Sequence, residues 1–104
     1  MSTESPQDFA GRVAIVTGAA RGLGRAAAVR LLERGASVAL NVRDPARAER
    51  VARELGGRCL ALPGDVGAGA VPVELAARTL ERFGRIDILV NNAALPFTTR
   101  FEQI

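Results

Sequence analysis

The glycine-rich segment TGAARGLG, at residues 17–24, constrains the fold of this chain most strongly. An apolar run at residues 13–16 precedes it, and apolar residues at helical spacing follow it. These patterns predict a buried strand, a tight turn and a helix that begins at the turn. A phosphate can approach the backbone of such a turn, where helix N–H groups and the positive end of the helix dipole face it. A plain strand-to-helix turn is the alternative interpretation, because glycine occurs in many such loops.

The three glycines of this segment have the spacing G-x-x-x-G-x-G, which differs from the G-x-G-x-x-G of the common dinucleotide fingerprint. We expect Gly18 to allow a sharp exit from the strand and Gly22 to leave room for a pyrophosphate. Gly24 would let the helix pack closely against the sheet. The segment therefore predicts a nucleotide-binding protein.

Length and composition exclude several classes of protein. The 104 residues allow one domain, which we place at 11–94, between a disordered tail at 1–10 and a loop at 95–104. The net charge is only +3, and interspersed arginine and glutamate indicate a solvated helix face rather than a nucleic-acid-binding surface. No apolar run is long enough to cross a bilayer, and the N-terminus lacks a secretory pattern. The single cysteine, Cys59, is expected to be packed and is typical of a cytoplasmic protein.

Four apolar runs alternate with three helical patterns along the chain. This alternation predicts successive right-handed βαβ units, and therefore the α/β class with a Rossmann-like doubly wound parallel sheet of four strands and three helices. Each strand is expected to be buried on both faces, because helices cover both sides of such a sheet. The predicted strands are Val13–Thr17, Ser37–Val42, Arg58–Leu62 and Ile86–Asn91.

The ends of the predicted helices are marked unequally. The first is predicted at Leu23–Arg34. The second begins with Asp44 as N-cap and Pro45 as its first residue, and Gly56 ends it. The third ends at Gly84, and its start has no side-chain cap. Its predicted apolar face consists of Val73, Ala76, Leu80 and Phe83.

Ligands of doubly wound sheets bind outside the carboxyl ends of the strands, and the second strand ends in Asn41-Val42-Arg43. A carboxylate at this place would bind the ribose hydroxyls of NAD and repel a 2′-phosphate. Arg43, with Arg21 from the glycine turn, could instead pair with the 2′-phosphate of NADP. Ordinary solvent exposure is the alternative for both arginines. Asp44 is interpreted as the helix cap, so the pattern predicts NADP.

The ends of the third and fourth strands carry further polar residues. The carboxylate of Asp65 could accept a hydrogen bond from an adenine amino group, with the backbone of Val66 completing that edge. A turn or cap role for Asp65 is equally compatible with the sequence. The amides of Asn91 and Asn92 could bridge neighbouring strands, reach a ribose, or do both.

Four segments in this order, GRVAIVTGAARGLG, Asp65-Val66, FGRIDILV and NNAA, closely resemble the short-chain dehydrogenase/reductase family. The resemblance covers nearly all of residues 9–94, and Ala94 stands where the family usually has glycine. The cofactor-binding residues that it implies are Gly18, Ala20, Arg21, Gly22, Leu23, Gly24, Asn41, Arg43, Asp65, Val66 and Asn91. It also implies hydride transfer between NADP and a carbonyl or alcohol substrate, with 3-oxoacyl thioesters as one substrate class, and a homo-oligomer in the full-length form.

The family's catalytic serine, Tyr-x-x-x-Lys pair and supporting asparagine lie beyond the point where this sequence stops, and the sequence contains neither tyrosine nor lysine. We therefore assign no catalytic residue and no metal site, and we expect the chain alone to be inactive. One hypothesis is the NADP-binding N-terminal part of a truncated short-chain reductase. The others are a stand-alone module that senses NADP and a partner-binding fragment that holds no cofactor. An open apolar edge at the fourth strand, with only Asp87 to protect it, favours truncation and predicts self-association.

Overall fold

The computed structural model describes residues 8–18, 22–65 and 70–91. Within these residues four parallel strands form one sheet in the order β3-β2-β1-β4, which confirms the Rossmann-like fold. The elements are β1 (Val13–Thr17), α1 (Gly22–Glu33), β2 (Ser37–Val42), α2 (Pro45–Leu55), β3 (Cys59–Pro63), α3 (Val71–Phe83) and β4 (Ile88–Asn91).

Three predicted elements had boundaries that were wrong by one or two residues, and β3 ends at Pro63 rather than at Leu62. The predicted helix Leu23–Arg34 is displaced by one residue at each end, because the Arg34 N–H already donates to carbonyls in a closing turn. β3 starts at Cys59 rather than at Arg58, because the turn after α2 extends until the Cys59 N–H donates to the Gly56 carbonyl. β4 starts at Ile88 rather than at Ile86.

β1 and β2 form the centre of the sheet and are buried on both faces, as predicted. Val16, Val38 and Leu40 pack on the face covered by α1 and α2. On the other face, Ile15 packs with Leu75 of α3. The predicted two-sided burial is wrong for β3, which is mostly half-buried, and for β4, which alternates between half-buried and exposed positions. They are the outer strands among the described residues, so each lacks a neighbour on one side.

The predicted inward face of α3 was wrong at Val73 and Leu80, whereas Phe83 packs against the core as predicted. Leu75 and Thr79 are buried, whereas Val73 is 72% exposed and Leu80 is 48% exposed. Leu75 packs against the central strands, and this contact sets the rotation of the helix. The Thr79 hydroxyl can be buried because it donates to the Leu75 carbonyl at 2.6 Å. A pattern that counts threonine as polar therefore leaves Thr79 out of the inward face of α3.

The helix ends follow the predicted signals. The Asp44 carboxylate accepts from the Arg47 N–H at 2.8 Å and caps α2. Gly56 ends α2, and Gly84 ends α3 in the left-handed conformation. Ala70 precedes α3 without a side-chain cap, as expected.

The outer face of α2 is solvated, as predicted, and Cys59 is buried. Burial raises the pKa of the Cys59 thiol to about 11, so the thiol is protonated and unreactive at neutral pH. No helix in the described ranges is both long and apolar enough to span a membrane. The exposed charged residues of α2 are Arg47, Glu49, Arg50, Arg53 and Glu54.

Residues 8–10, which the sequence analysis assigned to the tail, form a turn against the end of α1. The Phe9 N–H donates to the Arg34 carbonyl at 3.0 Å. The Arg34 guanidinium donates to both carboxylate oxygens of Asp8, at 2.9 and 2.8 Å, and lies over the Phe9 ring. The rest of the predicted tail, and the predicted loop at 95–104, lie outside the described residues.

Asp87 joins β4 to β1 at the amino ends of the strands. Its Oδ2 accepts from the Val13 N–H at 2.9 Å, and its own N–H donates to the Val13 carbonyl at 2.8 Å. The carboxylate thus replaces a backbone acceptor, which explains why regular pairing starts only at Ile88. The Arg85 guanidinium binds both carboxylate oxygens, and this contact, with the Val13 N–H, holds the pKa of Asp87 below its ordinary value.

We expect Asp87→Asn to lower the thermal unfolding midpoint at neutral pH, because the amide cannot form the ion pair with Arg85. The stabilising effect of a carboxyl with a lowered pKa is present above its ordinary value of 3.8 and is lost as pH falls through the folded-state value. The difference between the wild type and the variant should therefore disappear in acid. Melting curves from pH 2 to pH 7 measure this.

The matched control is Asp8→Asn, because Asp8 also binds an arginine through both oxygens but is 48% exposed, against 13% for Asp87. We expect the smaller change in melting midpoint for Asp8→Asn. Equal changes in the two variants would show that the lower exposure of Asp87 does not strengthen its ion pair.

Gly64 occupies a tight position between β3 and α3. Its φ of +131° is one that other residues rarely adopt, and a Cβ there would lie 3.1 Å from Val71 Cγ2. Gly64→Ala should therefore destabilise the fold by about 1–3 kcal/mol. Gly57→Ala is the control, because nothing lies within 4 Å of its Cβ position. Urea denaturation measures both; equal losses of stability would contradict the argument.

Within the described residues, no strand pairs with the outer edge of β4. Leu89 of this strand is 65% exposed. An open apolar strand edge favours pairing with another chain. We therefore expect the chain to self-associate and Leu89→Lys to reduce the association, as measured by sedimentation equilibrium. Val73→Lys is the control, since Val73 is 72% exposed but lies on α3. A monomeric wild type, or equal effects of the two lysines, would refute this role of the edge.

Candidate functional site

The carboxyl ends of the strands meet along one edge of the sheet. The pairing register places Thr17 beside Asn41 on one side and beside Asn91 on the other. The end of β3 lies alongside the end of β2, with Pro63 opposite Val42. The sheet therefore brings the ends of all four described strands to a common edge.

The glycine turn leads from this edge into α1. Gly18 and Gly22 have φ values of +64° and +65°, in the left-handed region that favours glycine. Among the described residues, no atom outside the backbone of α1 lies within 4 Å of the position that a Cβ on Gly22 would occupy. Gly24 is buried and Leu23 is 80% exposed. The first-turn N–H groups of an α-helix lack intrahelical acceptors, so the open side of Gly22 fits a phosphate group.

Four residues singled out from the sequence lie outside the described residues, so their predicted roles stay predictions. They are Ala20, Arg21, Val66 and Asn92.

Asn91 takes part in a contact that holds the edge together. The Thr17 hydroxyl, which is buried, donates to Asn91 Oδ1 at 3.0 Å. The structural role that the sequence allowed for Asn91 is thus present. Its oxygen is used by the fold, whereas its amide N–H groups are of the type that can donate to a ribose hydroxyl. Sequence reasoning missed Thr17, although a hydroxyl residue at the end of an apolar strand was a cue.

Asn41 is buried, and its side chain bridges β2 to the end of β3. Its Nδ2 donates to the Gly64 carbonyl at 3.0 Å and reaches the Leu62 carbonyl at 3.5 Å. Both acceptors are backbone groups, so the two amide hydrogens serve the fold. The remaining Oδ1 can only accept, and an ionised phosphate offers it no hydrogen. The side chain of Asn41 thus shapes this part of the edge, and the adjacent Arg43 is the better phosphate donor.

Arg43 and Asp65 come together although they follow different strands. Arg43 Nη2 lies 3.5 Å from Asp65 Oδ2, and the two side chains are 83% and 53% exposed. An exposed pair of this kind stabilises a fold by about 0–1 kcal/mol at most. Asp44, by contrast, caps α2 as predicted. The edge therefore presents a weakly held guanidinium with a carboxylate beside it.

Arg25 also carries a positive charge in the first turn of α1. Its guanidinium donates to Glu54 Oε2 at 2.8 Å and links α1 to α2. No local sequence pattern contains this pair, because the two residues are 29 positions apart. The pair adds one contact between α1 and α2.

A family model, described as short chain dehydrogenase, matches residues 12–104. Hydroxynaphthalene reductase-like protein Arp2 of Metarhizium guizhouense is 40% identical over 96 residues, covering 88% of this chain and 36% of the relative. The (2S)-[(R)-hydroxy(phenyl)methyl]succinyl-CoA dehydrogenase subunit BbsD of Thauera aromatica is 40% identical over 87 residues, covering 81% of this chain and 35% of the relative.

A solved structure shows the same likeness in three dimensions. The 3-ketoacyl-(acyl-carrier-protein) reductase of Brucella melitensis, complexed with NADH, superposes with a TM-score of 0.75 at 40% identity, covering 79% of this chain and 34% of that one. The chain thus spans about a third of the length of the proteins that it matches. Since the family model matches from the start of β1 through the glycine turn and the four strand ends, this chain belongs to the short chain dehydrogenase family.

Proposed function

We propose that this chain is the NADP-binding part of an oxidoreductase that interconverts a carbonyl group and an alcohol. The observation that carries the proposal is the glycine turn, whose Gly22 is open on one side, at the same sheet edge as an exposed Arg43. A phosphate-accepting turn beside a guanidinium suits a dinucleotide that carries an additional phosphate. Membership of an oxidoreductase family supports the reaction class.

Each residue of the proposed site has a proposed chemical role. Gly18, Gly22 and the N-terminus of α1 would hold the pyrophosphate, with Ala20, Leu23 and Gly24 completing the turn. Arg43 and Arg21 would bind the 2′-phosphate through charge-assisted hydrogen bonds. Asp65 and Val66 would bind the adenine, and Asn91 a ribose. NADP, when bound, supplies or accepts the hydride.

The proposed substrate class is a 3-oxoacyl or 3-hydroxyacyl thioester. The names of the Brucella and Thauera proteins each refer to an acyl thioester or a thioester-carrying protein. Hydride transfer to a carbonyl also needs a proton donor. This sequence has no tyrosine and no lysine, the pair with which the family donates the proton. We therefore expect these 104 residues to bind cofactor without turning over substrate.

The proposed preference for NADP rests on Arg43 and Arg21, whereas the Brucella reductase is complexed with NADH. Hydrogen bonds to charged groups stabilise by roughly 1.5–3 kcal/mol each, so two arginines would favour NADP at least tenfold. A carboxylate at position 42 or 43 would bind the ribose hydroxyls of NAD, but these positions hold Val42 and Arg43.

Titration of the chain with NADPH and NADH should show at least tenfold tighter binding of NADPH. Arg43→Asp should abolish that preference, because the new carboxylate repels the 2′-phosphate and accepts from ribose hydroxyls. Arg50→Asp is the matched control: it makes the same charge change on the exposed face of α2 and should leave the ratio of affinities unchanged. Nucleotide fluorescence measures all three proteins.

Two results would contradict the proposal in different ways. Equal affinity of the wild type for the two cofactors would remove the preference for NADP and leave nucleotide binding intact. Failure of the wild type to bind either cofactor would refute nucleotide binding and favour a partner-binding fragment.

A further inference from the structure

We propose that Asp65 limits the preference of this site for a 2′-phosphate by competing with that phosphate for Arg43. The inference rests on the proposed function, in which Arg43 binds the 2′-phosphate of NADP. It goes further by giving Asp65 a second effect, on the choice between NADP and NAD. Asp65 is thus a specificity-determining residue for the cofactor.

The sheet itself holds the two side chains close together. Arg43 directly follows β2, and Asp65 follows the neighbouring β3 by two residues. The segment before Asp65 is bound to β2 twice: the Gly64 N–H donates to the Val42 carbonyl at 3.2 Å, and the Gly64 carbonyl accepts from Asn41 Nδ2 at 3.0 Å. The positive φ of Gly64 fixes the direction of the chain at this point. The carboxylate therefore stays within reach of Arg43.

The direction of the effect follows from charge and geometry. Asp65 Oδ2 lies 3.5 Å from Arg43 Nη2, so the carboxylate offsets the charge that a phosphate would use. It also repels the phosphate, because both are negative. The Asp65 carboxylate does little to orient Arg43, because Arg43 is 83% exposed and the contact between the two side chains is long. The two-oxygen clamp of Asp87 on Arg85, at 2.7 and 2.8 Å, shows what strong orientation looks like in this chain. Competition therefore outweighs positioning.

The pair also explains how the site could accept NAD. In the absence of a 2′-phosphate, Arg43 keeps its ion pair with Asp65. The positive charge of the guanidinium is therefore still balanced when NAD is bound. In the presence of a 2′-phosphate, the stronger dianion takes the guanidinium from the carboxylate. The cost of this exchange is what lowers the preference for NADP.

The test compares the binding of NADP⁺ and NAD⁺ to the wild type and to Asp65→Asn by calorimetry. The two ligands differ only in the 2′-phosphate, so any lost contact between Asp65 and adenine weakens both equally and cancels in the ratio of affinities. We expect the ratio to rise two- to fivefold in favour of NADP⁺, the range that an exposed ion pair gives. The increase should shrink at 0.5 M salt, because screening weakens exposed charges.

Asp44→Asn is the matched control. It removes the same charge beside Arg43, yet the Asp44 carboxylate faces the Arg47 N–H, and asparagine caps a helix as well as aspartate does. The ratio of the affinities for NADP⁺ and NAD⁺ should change less in Asp44→Asn than in Asp65→Asn. In an Arg43→Gln background, Asp65→Asn should raise the ratio by less than it does in the wild type, because the group for which the carboxylate competes is gone and only its direct repulsion of the phosphate is removed.

The outcomes separate this inference from the proposed function. A wild type that prefers NADP⁺, with a ratio that Asp65→Asn leaves unchanged or lowers, overturns the competition and leaves the proposed function standing. Equal increases in Asp65→Asn and Asp44→Asn also overturn it, since they would show a general effect of charge. A wild type that binds neither ligand refutes the proposed function and this inference together.

Discussion

The parallel pairing of β1 with β2 and β4 is the constraint on which the rest of the structure depends. Its register sets Thr17 beside Asn41 and Asn91, and it decides which groups share the carboxyl edge. A slip of one residue would exchange the two buried faces of a strand, so that residues packed under α1 and α2 would meet α3 instead. The slip is opposed by the buried side chains on both faces of β1 and β2, so the same apolar residues that form the core also position the polar edge.

Polar contacts at the two ends of the sheet make this register specific. At the amino end, Asp87 supplies the acceptor that the Val13 N–H needs before regular pairing begins. At the carboxyl end, the Thr17 hydroxyl binds Asn91, and Asn41 bridges to the backbone after β3. Apolar packing tolerates small shifts, whereas a buried donor that loses its acceptor costs about 1–3 kcal/mol. These contacts therefore select one register among the arrangements that hydrophobic burial alone would permit.

The sequence predicted those features that depend on neighbours along the chain. The glycine turn, the cap at Asp44 and the order of strands and helices are local, and the structure agrees with them. The inward face of α3 depends on the contact between Leu75 and Ile15 of the sheet. The burial of Thr79 depends on its hydrogen bond to the Leu75 carbonyl. The contact between Arg43 and Asp65 joins two strand ends, so no local pattern contains it. The features that the sequence did not predict depend mainly on tertiary contacts.

The hydrogen bonds that build the carboxyl edge also decide which chemistry remains there for a ligand. Asn41 gives its amide hydrogens to the backbone, so its side chain cannot donate to an anion. Asn91 gives its oxygen to Thr17, which leaves a donor suited to a hydroxyl group. Within the described part of the chain, Arg43 is held by one long, exposed contact, so its guanidinium can pair with a ligand at little cost to the fold. Specificity at this edge therefore follows from which polar groups folding engages firmly and which it engages weakly.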